Sequence, residues 1–317
     1  MLQLDDLTPL NFEIPSESFI ESSIKKPIRR YVYPLYNCLT SHLLAKRYRE
    51  TIPFRVDRWL WGQRGSDYER HRRRVNRYLP LAGKDILIAG CGTGQDIPTW
   101  FPYAPRSVTG IDLFNYQTAW TILQQHLSRV FPDTAIMFAQ RDLACLNGYA
   151  DETFDVIASD ALFEHLSDLS SVLKEFRRLL RKDGLLYATF GPLWYSWGGD
   201  HISGSDDPRH GYNHLLLKQK DYHEYLNSFG MLEHSAHDGR TWIKEGLFSY
   251  LSPSDYCRKL EESGYERLFT SLIIDPRAVK FLKMNVQERH RLERIVAQAT
   301  DLLVTGMTVI YKVRRNI

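Results

Sequence analysis

The sequence predicts an α/β protein built on a mostly parallel sheet with helices on both faces, and three observations carry that prediction. Short aliphatic runs recur from about Lys84 onward: DILIAG, SVTGID, AIMFAQRD, FDVIAS and GLLYATFG. Helical patterns separate them, the alternation expected of parallel strands joined by crossover helices. A glycine turn, GCGTG from Gly90 to Gly94, follows the first run directly.

Taken in order, the first 80 residues carry two helix-like patches, YPLYNCLTSHLLAKRYR and GSDYERHRRRVNRYLPL, separated by the proline of TIPF and the glycines of WGQRGS. An N-terminal helical cap segment is therefore expected over 1–80, ahead of a main domain over 81–317. Between the fourth and fifth runs, Leu169, Val172, Leu173, Phe176, Leu179 and Leu180 recur at helical spacing, with Gly184 placed to end the helix. After the fifth run the alternation breaks over 192–251, a stretch rich in Gly, His, Asp and aromatics. Loops of that length are commonly functional, so it is expected to form a substrate lid. Alternation resumes with a helix opened by Ser252 or Ser254 in SPSDYCRKLEESG and a strand RLFTSLIID. PRAVKFLKMNVQERHRLERIVAQAT then reads as helical, and LLVTGMTVIYKV closes the sheet.

The 317 residues include 41 Lys plus Arg against 38 Asp plus Glu. So small a balance gives no field that would select nucleic acid as partner. The four cysteines, Cys38, Cys91, Cys145 and Cys257, are far apart and form no CxxC pair; a reducing cytoplasm is expected. No apolar run approaches the roughly 20 residues of a spanning helix, and the N-terminus lacks a signal-peptide pattern, so no membrane partner is expected.

A glycine turn between strand and helix lets backbone approach a ligand closely and aims N–H groups at it. Two ligand classes fit poorly. The dinucleotide fingerprint needs a third glycine at position 95, which is Gln95, and a phosphate loop needs a Gly-Lys pair that GCGTGQD lacks. The G-x-G-x-G spacing, with Asp112 ending the second strand 22 residues after Gly90 and Asp142 ending the third, resembles the class I S-adenosylmethionine-dependent methyltransferases. FDVIASDALFEHL is similar to that family's fourth-strand motif.

The resemblance implies a Rossmann-like, seven-stranded, mostly parallel sheet and S-adenosyl-L-methionine as cofactor. It implies cofactor contacts at Gly90, Cys91, Gly92, Gly94 and Gln95 of the turn, at Asp112 and Leu113, at Asp142 and Leu143, and at Ser159. In the family, the second-strand acid bonds the ribose hydroxyls, and the third-strand acid with the next backbone N–H reads the adenine. The chain departs from the pattern at Ile88, where many members carry an acid for the methionine ammonium. That end of the cofactor must be held otherwise, by turn carbonyls, by Gln95 or by the N-terminal segment.

Transfer to an oxygen acceptor needs a base. His201 in the lid, with Asp200 beside it, and His165 in FEHL are the two candidates. Trp194, Tyr195 and Trp197 either wall the acceptor pocket or form lid core. The set Asp200, His201, Asp206, Asp207, His210 and His214 matches no compact metal signature, so no metal is expected. The basic runs HRRRV and KKPIRR read as solvated faces rather than phosphate contacts. The expected function is methylation of a small-molecule or glycan-like acceptor, at oxygen. Protein or RNA methylation, and a non-catalytic cofactor-binding scaffold, stay open as alternatives; oligomeric state is not readable.

Overall fold

The computed structural model describes residues 11–13, 68–94, 96–229 and 239–314. The chain divides into two compact units, one of residues 16–158 and one of residues 1–15 with 159–317. Of the expected helical cap, the patch from Tyr33 to Arg49 lies outside the described residues. The second patch forms helix α1 (Tyr68–Tyr78), and a strand not anticipated there, β1 (Asn11–Glu13), raises the described strands to eight.

In the unit of residues 16–158, β2 (Asp85–Ala89), β3 (Ser107–Asp112) and β4 (Ala135–Gln140) run parallel, with Asp85 opposite Ser107 and Ser107 opposite Ala135. The order is β5-β2-β3-β4, where β5 spans Phe154–Asp160 and its first residues belong to this unit. Every residue of β2 is buried, as a continuous aliphatic run in a strand covered on both faces requires. The edge strand β4 alternates instead: Ile136 is buried and Met137 is 53% exposed. Helix α2 (Gln117–Val130) packs on β4 and buries Trp120, Leu123 and Leu127.

A full α-helix does not follow the glycine turn; Ile97–Tyr103 form a 3₁₀ turn with proline at its start and Pro102 inside. Proline lacks the N–H that an i to i−4 ladder needs. Helix α1 packs on this turn. Arg72 is buried there, its guanidinium 4.1 Å from the Trp100 ring centroid and its Nε donating to Thr99 Oγ1 at 3.1 Å. The basic run HRRRV is therefore not a uniformly solvated face: His71 and Arg72 are buried and Arg73 is exposed.

In the other unit, β6 (Leu180–Phe190), β7 (Tyr265–Ile274) and β8 (Val304–Val313) pair with β8 antiparallel to both neighbours, in the order β1-β7-β8-β6. The Rossmann-like α/β class holds, with this reversed strand making the sheet mixed. Helix α3 (Leu169–Leu179) buries the apolar positions its spacing predicts, and Asp168 caps it by accepting from Ser171 N at 3.1 Å. Gly184 does not end α3. The helix stops at Leu179 because Leu180 is already extended, at ψ 132°, and buried as a strand residue; Gly184 lies inside β6.

The stretch over 192–251 holds α4 (Asn213–Leu216), α5 (Gln219–Ser228) and α6 (Gly239–Lys244). Ser252, rather than Ser254, opens α7 (Pro253–Glu262) through a reciprocal capping box with Asp255. The insertion that reads as helical forms two helices meeting at Asn285, α8 (Pro276–Met284) and α9 (Val286–Leu292).

Asp301, buried in the turn before β8, has its carboxyl pushed up to about 6 by burial, with the Asp255 charge adding to it and the Gln298 N–H opposing. A folded-state value above the unfolded one, about 3.9, means that ionisation costs stability as pH rises from about 4 through 6. Asp301→Asn keeps an acceptor for Gln298 N, so it should raise the melting temperature near pH 8 and leave it close to wild type near pH 4. Equal shifts at both pH values would count against this reading.

Candidate functional site

The unit of residues 16–158 contains the glycine turn. Gly90, Gly92 and Gly94 take φ of 67°, 51° and 87°, the left-handed region that glycine enters without strain. Gly90 N and Cys91 N donate to Ile111 O at 2.8 and 3.1 Å, and Gly94 N donates to Cys91 O at 2.8 Å. At the end of β3, Asp112 Oδ2 accepts from Gly92 N at 2.7 Å and Oδ1 from Phe114 N at 2.9 Å. Trp120 Nε1 donates to Gly92 O at 2.7 Å and its ring stacks on Phe138 at 5.6 Å.

The N–H groups expected to face a ligand are thus mostly spent on shaping the turn. Asp112 has a part that spacing did not reveal: it braces the turn through both carboxylate oxygens. A Cβ built on Gly92 would meet nothing within 4 Å, so open space lies over that residue. On Gly94 it would fall 2.7 Å from Leu123 Cδ2 and 3.1 Å from Phe138 Cε1.

Leu113, next to Asp112, is 51% exposed and offers an apolar platform beside that carboxylate. Asp142 is exposed and accepts from Ala144 N at 2.9 Å, and Leu143 is buried. Burial, and next the Asp112 charge, push the Cys91 thiol well up, so it stays protonated. Ile88 is buried in β2, and Gln95 lies outside the described residues. Open space over Gly92, an exposed apolar side chain and a carboxylate beside the turn fit the nucleoside and sulfonium portions of the implied cofactor.

The other unit brings His165 and His201 together, their ring centroids 4.9 Å apart. His165 lies in the 3₁₀ turn Phe163–His165 after β5, and His201 in the loop after β6, at φ 67°. Trp242 lies 4.2 Å from the His165 ring, and Phe248 lies 5.1 Å from His165 and 5.7 Å from His201. His165 Nδ1 sits 3.0 Å from Leu247 O. A carbonyl only accepts, so Nδ1 carries the proton and Nε2 the lone pair. Burial lowers His165 to about 4; burial, and next the charge of His165, lower His201 to about 3. Both rings are neutral near pH 7.

Glu164 completes the group and was not singled out in the sequence. Its Oε1 accepts from Gly191 N at 2.9 Å, while Oε2 is buried with no hydrogen-bond partner among the described residues. Burial raises this carboxyl to about 8. The available signal was a charged residue in the apolar FEHL, directly after the buried Phe163. Ser159, expected to touch cofactor, is buried with its Oγ unpartnered among the described residues.

The remaining polar residues of the lid do not converge. Asp200 accepts from Ile202 N, Ser203 N, Ser203 Oγ and Tyr222 Oη, which occupies its carboxylate. His210 pairs with Asp206 at 2.7 Å, Arg209 with Asp207 at 2.6 Å, and His214 Nε2 with Trp194 O at 2.8 Å. Of the six residues considered as a metal set, His201 alone joins Glu164 and His165. A cavity of about 290 Å³ is lined by Pro192, Trp197, His201, Ile202, Ser203 and Arg277, among others. Trp197 lines this cavity and packs in a core with Tyr212, Phe281 and Leu282. Trp194 packs on Phe248 and Tyr250, and Tyr195 is half-buried.

Residues 87–188 match the family model described as a methyltransferase domain. The chain is 29% identical to a malonyl-[acyl-carrier protein] O-methyltransferase of Paenibacillus, over 56% of this chain and 64% of that protein. It is 27% identical to a tRNA U34 carboxymethyltransferase of Campylobacter concisus, over 59% and 66%. It is 30% identical to a ubiquinone biosynthesis O-methyltransferase of Pseudomonas putida, over 36% and 47%. The chain spans less than two thirds of the length of these relatives. The match over residues 87–188 is thus to a methyltransferase domain, and the relatives named above are two O-methyltransferases and a carboxymethyltransferase. No helix among the described residues is long and apolar enough to cross a membrane.

Proposed function

We propose that the chain is an S-adenosylmethionine-dependent methyltransferase acting on a small molecule, at oxygen. The observation that carries the acceptor class is the cavity of about 290 Å³ lined by His201. A space of that size takes a small acceptor or the tip of a longer one, near the lower end of ordinary ligand pockets. When bound, the cofactor supplies an electrophilic methyl group on a sulfonium sulfur. Asp112 and the glycine turn hold its ribose and amino-acid portions, while Leu113, Asp142 and Leu143 flank the adenine. Neutral imidazole at His201, with His165 behind it, has the lone pair to take a hydroxyl proton from the acceptor. Trp242 and Phe248 keep water from both rings.

Two relatives named as O-methyltransferases support oxygen as the methylated atom. The tRNA-directed relative motivates the RNA alternative. A net charge of +3 and the burial of Arg72 within the HRRRV run speak against it. The test is a labelled-methyl assay on cell extract fractionated into small molecules, protein and RNA. Label in the small-molecule fraction supports the proposal; label confined to RNA or protein replaces it. His201→Ala should lower turnover by about 10²- to 10⁴-fold, the usual worth of a general base, with cofactor affinity unchanged. Wild-type turnover in that variant would remove His201 from the reaction.

A further inference from the structure

We propose that Glu164, His165 and His201 form a binding site for a divalent first-row transition metal ion, with Zn²⁺ as the matching probe. One ligand atom from each of the three lies within 4.8 Å of the others, the one such group among the described residues. Two imidazole nitrogens and one carboxylate oxygen are a known donor set for such ions, leaving a position open for water or substrate.

Three features of the surroundings go beyond proximity. Glu164 Oε2 and His201 Nε2 are both buried and have no hydrogen-bond partner among the described residues. Leaving such atoms unpaired is destabilising, and an unbound ion is one of the standard reasons for finding them. The atoms that would not face the ion are already engaged. His165 Nδ1 is fixed on Leu247 O at 3.0 Å, which leaves Nε2 as the ligand nitrogen, and Glu164 Oε1 is fixed on Gly191 N at 2.9 Å. Outer hydrogen bonds of this kind set the orientation and tautomer of metal ligands. Trp242 and Phe248 supply an apolar surround.

Metal–ligand distances of about 2.0–2.2 Å place tetrahedral donors roughly 3.4 Å apart, inside the 4.8 Å that bounds these atoms, so any adjustment on binding is a small movement. For Glu164 Oε2 and His201 Nε2 that movement breaks no hydrogen bond. His201 also lines the cavity assigned above to the acceptor. On that reading, which this assignment of the ion's role presupposes, an ion held by His201 takes up the lone pair otherwise assigned to the base, and its open position lowers the pKa of the acceptor hydroxyl in the free imidazole's place.

The experiment is calorimetric titration of the metal-stripped full chain with Zn²⁺, repeated with Co²⁺ followed by its visible absorption, in the absence of methyl donor and acceptor. The expected result is one saturable site per chain, with affinity reduced at least about 10- to 100-fold by Glu164→Gln and by His201→Asn. Glu164→Gln keeps an acceptor for Gly191 N, and unchanged thermal melting and S-adenosylhomocysteine affinity in both variants establish that they fold. Absence of saturable binding, or variants that bind Zn²⁺ like wild type, would overturn the proposal. Since the metal is read without methyl transfer, its failure leaves the methyltransferase reading standing, and the reverse also holds.

Discussion

Replacing Gly94 by valine is expected to destabilise the unit of residues 16–158 by about 4 kcal/mol, combining left-handed backbone strain of roughly 1–3 kcal/mol with overpacking of similar size. The position has φ 87°, where a β-branched residue is a genuine outlier. Its Cβ would stand 2.7 Å from Leu123 Cδ2 and 3.1 Å from Phe138 Cε1, in a region where Trp120 stacks on Phe138. Thermal unfolding should show a fall on the order of 10 °C at roughly 2–4 °C per kcal/mol. Gly92→Ala is the informative contrast. Its Cβ meets nothing within 4 Å, so its melting loss should be small while cofactor affinity drops, because the methyl enters the space a ligand would take. Equal melting losses in the two variants would show that the turn is packed the same on both sides.

Asp112→Ala should weaken S-adenosylmethionine binding by about 100-fold, the equivalent of roughly 2.7 kcal/mol. The loss has two sources. The carboxylate accepts from Gly92 N at 2.7 Å and Phe114 N at 2.9 Å, so its removal strands two donors that shape the turn, each at about 1–3 kcal/mol if they stay dry. It also removes the acceptor proposed above for the ribose hydroxyls. Asp112→Asn, which keeps one acceptor oxygen, should fall between wild type and Asp112→Ala. Equilibrium dialysis with labelled cofactor measures both, and wild-type affinity in Asp112→Ala would remove this residue from the cofactor site.

The parts of the fold legible in the sequence are those whose pattern is local. The run DILIA reads as a covered strand because every residue of β2 is buried, and the face of α3 reads correctly because Leu169, Val172, Leu173, Phe176 and Leu179 all turn inward. Gly184 misled because glycine is a helix-end signal, yet the chain had already become extended at Leu180. The 3₁₀ turn after Gly94 was foreshadowed by Pro98 and Pro102, whose missing N–H groups outweigh the expectation of a helix.

The candidate site was legible in its members but not in its grouping. His165 and His201 stood out separately as chemistry-bearing residues. Their meeting depends on the path of the loop after β6, and that path has no periodicity to read. Glu164 was easily passed over because a single acid in a short segment is ordinarily solvated, and the burial of its side chain is what singles it out. Asp200 shows the converse. Adjacent to His201, it acts on that ring through its charge alone, since Ile202, Ser203 and Tyr222 occupy its carboxylate.

The central claim is that the turn from Gly90 to Gly94, braced by Asp112, is a site for a nucleoside sulfonium cofactor. Calorimetric titration of the wild-type chain with S-adenosylhomocysteine tests it most directly. The prediction is one saturable site per chain, with a dissociation constant between about 1 µM and 1 mM, the range of ordinary enzyme ligands. No saturable heat at millimolar ligand, from a chain that melts cooperatively, would contradict it.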